Sequence, residues 1–123
     1  MCLILNKDSI RTITYTDIVV YKMVRKVTRV IYRAPYYLFD YRKDVVYCGE
    51  LRKSINILSG SRIVNQGFHS YARLEDIKIA AINNIVIVKC IIPEGAEFFK
   101  GHGTDGTPQY ASNKIMIKEE VKL

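Results

Sequence analysis

The residues best suited to chemistry stand together in Gly67-Phe68-His69-Ser70-Tyr71, where a glycine precedes two aromatic rings, an imidazole and a hydroxyl. An imidazole beside a hydroxyl can exchange protons, and aromatic faces can stack on a planar ligand. A general base needs an acidic partner to orient it, and no acid accompanies this pair. The set is therefore better equipped for recognition than for proton transfer. Phe68, with Tyr71 or Tyr36, would stack on a base, while His69, Ser70 and Asn113 would supply directional hydrogen bonds. Lys22, Arg25 and Arg33 would meet phosphates. Each also has a plain structural role open to it: His69 and Phe68 in the core, Ser70 as a helix cap, Asn113 in a turn before the last strand.

The elements that would position these groups read as an α+β chain, a small, mostly antiparallel twisted sheet with one main amphipathic helix over about residues 72–83. Cys2 to Leu5 reads as a first edge strand. From Asp17 to Ile31 β-branched and aromatic residues interleave with Lys22, Arg25, Lys26 and Arg29, which predicts a central strand with an exposed basic extension. Pro35 breaks it, and Tyr32, Tyr36, Tyr37, Phe39 and Tyr41 then crowd a loop with Arg33, Arg42 and Lys43. Rings and cations so interleaved can bind bases and phosphates, or the tyrosines can cover a sheet edge. Short strands are predicted at Val45–Cys48, at Ile55–Leu58 before a turn at Ser59-Gly60-Ser61, and at Arg62–Gln66, with Gly67 allowing a sharp turn.

Leu74, Ile77, Ala81 and Ile82 fall on one helical stripe, Glu75 and Asp76 suit a first turn, and Asn83-Asn84 suits its end, with Ser70 as N-cap. Ile85 to Ile92 predicts a central buried strand closed by Pro93-Glu94-Gly95. Ala96–Lys100 and Ile115–Ile117 predict further strands. The stretch Gly101–Pro108 reads as a mobile loop and contains neither a Walker nor a dinucleotide glycine pattern.

Composition bounds the rest. A chain of 123 residues, 49% hydrophobic and 25% charged, suits a single domain spanning 1–123. No apolar run approaches membrane-spanning length, and Met1 to Leu5 lacks a basic leader, so the expectation is a cytoplasmic protein without membrane partners. Cys2, Cys48 and Cys90 are scattered among strand-like neighbours and predict reduced, buried thiols; with His69 and His102 standing alone, neither metal nor cofactor is expected. The net charge of +7 is uneven, with eleven basic and five acidic residues up to Lys53. Such a field draws anions: nucleotides, phosphates or nucleic acid.

The order Val20-Tyr21-Lys22, Pro35-Tyr36, Gly67 to Tyr71, Lys89-Cys90-Ile91-Ile92-Pro93-Glu94-Gly95-Ala96 and Tyr110-Ala111-Ser112-Asn113-Lys114-Ile115 resembles small uncharacterised proteins of Bacteroides-type bacteria and their phages, over most of the chain. A more distant likeness is to a degenerate ADP-ribosyltransferase-like fold. There Gly67–Tyr71 would take the serine-motif position, Lys22 or Arg25 the polar anchor, and Ile92-Pro93-Glu94-Gly95 the turn. That fold implies a catalytic glutamate near Ser112, Asn113 or Lys114, and this sequence has no acid there. The expectation is therefore non-catalytic binding, or sequestration, of a small nucleotide-like phosphorylated ligand such as a host immune signalling nucleotide, by a phage or bacterial protein. A phage-encoded copy would work in the host cell cytoplasm. A small domain often builds such pockets between subunits, which implies a homo-oligomer. The alternatives are an ADP-ribosyltransferase-like or nucleotide-cleaving enzyme using His69 as base, or an RNA- or DNA-binding module using the basic aromatic loop.

Overall fold

The computed structural model describes residues 3–6, 9–34, 39–55, 60, 62–77 and 84–121. Within them the chain forms β1 (Leu3–Ile4), β2 (Thr12–Ile13), β3 (Ile18–Lys26), β4 (Ile31–Arg33), β5 (Asp40–Arg42), β6 (Val46–Cys48), β7 (Arg52–Ile55), β8 (Arg62–Gln66), β9 (Phe68–Tyr71), β10 (Ile85–Ile92), β11 (Glu97–His102), β12 (Pro108–Ser112) and β13 (Lys114–Glu120). The two longest β-branched runs pair antiparallel from end to end, β3 with β10, Ile18 against Ile92 and Arg25 against Ile85. Around that pair the sheet runs β6-β13-β10-β3-β9-β12-β11-β1-β8-β7. The hairpin β4–β5 grows from the far end of β3, and β2 attaches to β11.

Alternation along the strands gives the sheet two cores on opposite faces. On one face Val20, Val24, Val88, Cys90, Ile92, Ile115 and Ile117 pack beneath Tyr32 and Tyr41, which the β4–β5 hairpin folds over them. On the other, Leu3, Leu5, Leu51, Val64, Phe99 and Ala111 form a second cluster. Each fully buried aliphatic side chain contributes roughly 1.5–3 kcal/mol, so both clusters count toward stability. The change of face happens in β12, where Tyr110 packs against the first core and its neighbour Ala111 belongs to the second.

Several expectations are corrected. The chain is nearly all β, and among the described residues the proposed helix over 72–83 is replaced by one 3-10 turn, Leu74–Asp76. Arg73 (φ −131, ψ 137) and Ile77 (φ −87, ψ 115) are extended on either side of it. The Arg73 guanidinium grips the Asp76 carboxylate at 2.8 and 3.1 Å, closing a single turn locally. Residues 78–83 lie outside the described residues. The segment Phe68–Tyr71 is itself a strand between β12 and β3, so Ser70 caps nothing. Nor is β1 an edge: it pairs with β8 on one side and β11 on the other. The stretch read as a loop from Gly101 holds the end of β11 and the start of β12. Cys90 is a buried free thiol as expected, whereas Cys48 is exposed on β6; Cys2 lies outside the described residues. No helix among the described residues is long and apolar enough to cross a membrane.

Candidate ligand-binding surface

Because β9 alternates, the five-residue motif is divided between two faces of the sheet. Phe68 packs against the first core, its ring 6.1 Å from Phe39 and 6.2 Å from Tyr41. Ser70 points to the same face, is 1% exposed, and its Oγ has no hydrogen-bond partner among the described residues. One step along each strand from the Tyr21–Tyr71 pair, Lys22 falls beside Ser70. The Lys22 ammonium donates to the His69 backbone carbonyl and lies 5.7 Å from the centre of the Tyr41 ring. Burial pushes the Lys22 pKa down, and the neighbouring Cys90 thiol opposes the shift only in part. Lys22 is thus a strut between β3 and β9 rather than a surface cation.

His69 and Tyr71 point the other way. The His69 ring is set between two backbone carbonyls, Nδ1 3.1 Å from Gly67 O and Nε2 3.2 Å from Val64 O. Burial, helped by the nearby Lys22 charge, lowers its pKa to about 4, although the two carbonyls favour the protonated ring. A neutral imidazole so held donates to one of the two carbonyls and turns its other nitrogen, which carries no hydrogen, toward the second. Gly67 makes the arrangement possible: its φ of +154 favours glycine, and a Cβ would meet Leu51 Cδ1 at 2.8 Å.

Asn113 is a turn-holder. Its Oδ1 accepts from the Glu97 amide at 2.9 Å, and its Nδ2 donates to Glu97 Oε2 at 3.5 Å. The same carboxylate oxygen binds Arg11 at 2.5 and 3.0 Å, while Arg11 Nη1 donates to the Leu51 carbonyl at 2.8 Å. A carboxylate therefore does stand beside Asn113, supplied by β11 and neutralised by arginine; reading the sequence near Ser112 to Lys114 could not find it. Tyr36 lies outside the described residues.

The structure brings Arg25 and Arg33 together, directly opposite each other on β3 and β4. Arg33 is held on its other side by Asp40 on β5, at 2.7 and 3.3 Å, which keeps the Asp40 carboxyl below its usual range. Arg42 shares this face because it pairs with Ile31, two residues before Arg33. Val27, Arg25 and Arg42 are exposed, so three strands present a ribbon of guanidinium groups flanking Val27 and Ile31. Arg29, at the turn between β3 and β4, is exposed at the ribbon's end. The opposite face of the same hairpin is apolar and aromatic: Tyr32 and Tyr41 are in the core, and Tyr41, Phe39 and Tyr47 contact one another edge to face or tilted.

Among the described residues of the hairpin strands the expected interleaving is thus sorted by strand alternation, Tyr32 and Tyr41 inward and Arg33 and Arg42 outward. Among the described residues no group of His, Cys, Asp and Glu is placed to hold a metal ion. Comparison of the chain with protein-family models, with curated proteins and with solved structures finds no match in any of the three.

Proposed function

We propose that the protein binds a nucleotide-like phosphorylated ligand, without converting it, through the outer face of the β3–β4–β5 ribbon. The observation that carries this reading is how the ribbon's charges are paired. Its described carboxylates are both engaged, Asp40 by Arg33 and Asp44 by Lys118, while among the described residues Arg25, Arg42 and the turn residue Arg29 make no ion pair. Like charges facing each other across a strand pair cost stability, and a bound phosphate would relieve the cost while accepting forked hydrogen bonds from guanidinium groups. Binding without turnover is supported by the state of the titratable groups: His69 is held between carbonyls, Glu97 is bound by Arg11, and burial pushes the Cys90 thiol up to about 12. Two copies bringing their ribbons together would give a small ligand walls on both sides, which is the form sequestration requires.

A second reading, binding of single-stranded RNA or DNA, is favoured by one feature: the cations follow the ribbon across three strands. Purified protein incubated with cyclic nucleotides and NAD-derived molecules, with the supernatant assayed before and after heating, separates the possibilities. Intact ligand recovered only after heating supports the proposal, and altered ligand means an enzyme. No depletion of any of them rejects the small-ligand reading. A labelled single-stranded oligonucleotide then tests the second, whose signature is affinity falling steeply with salt, by roughly 0.7 log units per log unit of salt for each phosphate contact. Arg25→Gln with Arg42→Gln should abolish whichever binding is seen, and Lys53→Gln, on β7, should leave it unchanged.

A further inference from the structure

Away from the ribbon, an open groove of about 550 Å³ runs between the β1–β2 connection and β11. That size lies within the range of small-molecule sites. Its floor is Phe98, Lys100 and Gly101, and Asn6, Ser9 and Ile10 form a wall. The close approach of wall to floor depends on Gly101, where any Cβ would collide with the Ile4 backbone carbonyl. Ser9 then ties the two together: its Oγ donates to the Lys100 carbonyl at 3.1 Å and accepts from the Asn6 amide at 3.0 Å. The groove is therefore shaped before any ligand arrives.

Its chemistry is mixed in a specific way. The Phe98 ring meets the Tyr110 ring at 5.6 Å and 63°, and the Lys100 ammonium sits 5.8 Å from the centre of the Tyr110 ring. Lys100 makes no ion pair, and no carboxylate lines the groove among the described residues. At the rim Ile10 is 71% exposed, an apolar side chain that folding alone leaves in water. An aromatic floor, an aliphatic rim and a cation, Lys100, that has no ion pair among the described residues suit a flat apolar body carrying a negative group.

We propose that this groove binds a small planar anion, an aromatic ring joined to a phosphate or carboxylate, with the ring against Ile10 and Phe98 and the anionic group at Lys100 Nζ. Nucleoside monophosphates and aromatic carboxylates share that chemistry. The groove uses strands the ribbon does not, and the proposal stands whether or not the ribbon binds phosphates.

Isotope-labelled protein is titrated with adenosine 5′-monophosphate, with 4-hydroxybenzoate and with inorganic phosphate, following backbone amides by NMR. At least one ring-bearing anion should give saturable shifts at Ser9, Lys100 and Gly101, and phosphate alone should bind about tenfold more weakly or worse. Which of the two saturates names the source. Lys100→Gln should weaken binding about tenfold, as should Phe98→Leu, while Arg25→Gln should leave it unchanged. Absence of saturable shifts at these amides with both ring-bearing anions overturns the proposal, and so does wild-type affinity in Lys100→Gln. Should Phe98→Leu not fold, the exposed Lys100 substitution decides alone.

Discussion

Replacing His69 by glutamine should make stability less dependent on pH between 6.5 and about 4. In the folded protein the imidazole resists protonation, chiefly because it is buried and next because Lys22 is near; the carbonyls of Val64 and Gly67 pull the other way and lose. The unfolded chain has no such restraint and takes the proton near 6.5. As pH falls below that value the unfolded state gains, so the stability that His69 contributes at neutral pH is lost progressively. The loss stops near pH 4, where the folded state begins to bind the proton too. At about 1.4 kcal/mol per pH unit, the interval amounts to about 3 kcal/mol. Against a typical total of about 5–15 kcal/mol that is a large share. Urea unfolding of the wild type and His69→Gln at a series of pH values measures it. Carboxylates titrate in both proteins, so the difference between the two curves isolates His69. Glutamine keeps a donor for one of the two carbonyls and has no proton to gain. Parallel curves would refute the reasoning, as would a His69 imidazole titrating above 6.5 by NMR, which would mean that a charged ring donating to both carbonyls is the stable form.

Three further substitutions test the packing. Ser70→Ala removes a buried hydroxyl that has no partner among the described residues, so it should be neutral or stabilising by about 1 kcal/mol in urea unfolding; clear destabilisation would mean that the hydroxyl is hydrogen-bonded in solution. Gly101→Ala should cost about 1–3 kcal/mol or more, because the colliding partner is the backbone of β1 and cannot rotate away, and amide exchange in β1 should accelerate. Tyr41→Ala should cost about 3–5 kcal/mol, since it empties the space between the hairpin and the first core and removes ring contacts with Phe39, Tyr47 and Phe68.

The strands that build the first core could be read from the chain because their residues state their period without interruption. Val20, Val24, Val88 and Ile92 are β-branched and inward, and Gly95, at φ +86, makes the turn that Pro93-Glu94-Gly95 suggests. Elsewhere the local signal pointed away from the outcome. Leu74 and Ile77 fit a helical stripe, yet the ion pair from Arg73 to Asp76 closes only one turn, and Ile77 returns to extended geometry. Gly101 and Pro108 look like loop punctuation, whereas the first is there for close approach of β1 and the second opens a strand, where a missing amide is tolerated. The motif at Gly67 to Tyr71 was legible as a special place. What it is special for was hidden, because the register with β3 and β12, set by distant residues, sends His69 to one face and Ser70 to the other. The cations of the ribbon were visible one by one; their shared face was not, since it depends on Arg25 standing opposite Arg33. Phe98 and Lys100 share a face by the alternation of β11, and Tyr110 joins them only through the pairing of β12 with β11, which no local signal states.

The position of β1 between β8 and β11 has a consequence for the order of folding. Leu3 pairs with Val64 and Ile4 with His102, so β1 is seated on both sides only when two strands far along the chain are in place. Until then Leu3, Val64 and Phe99 have no common core to enter. Closing so long a loop is slow and is rewarded only at the end. The second core therefore closes late in folding, and the seating of β1 is the event that closes it.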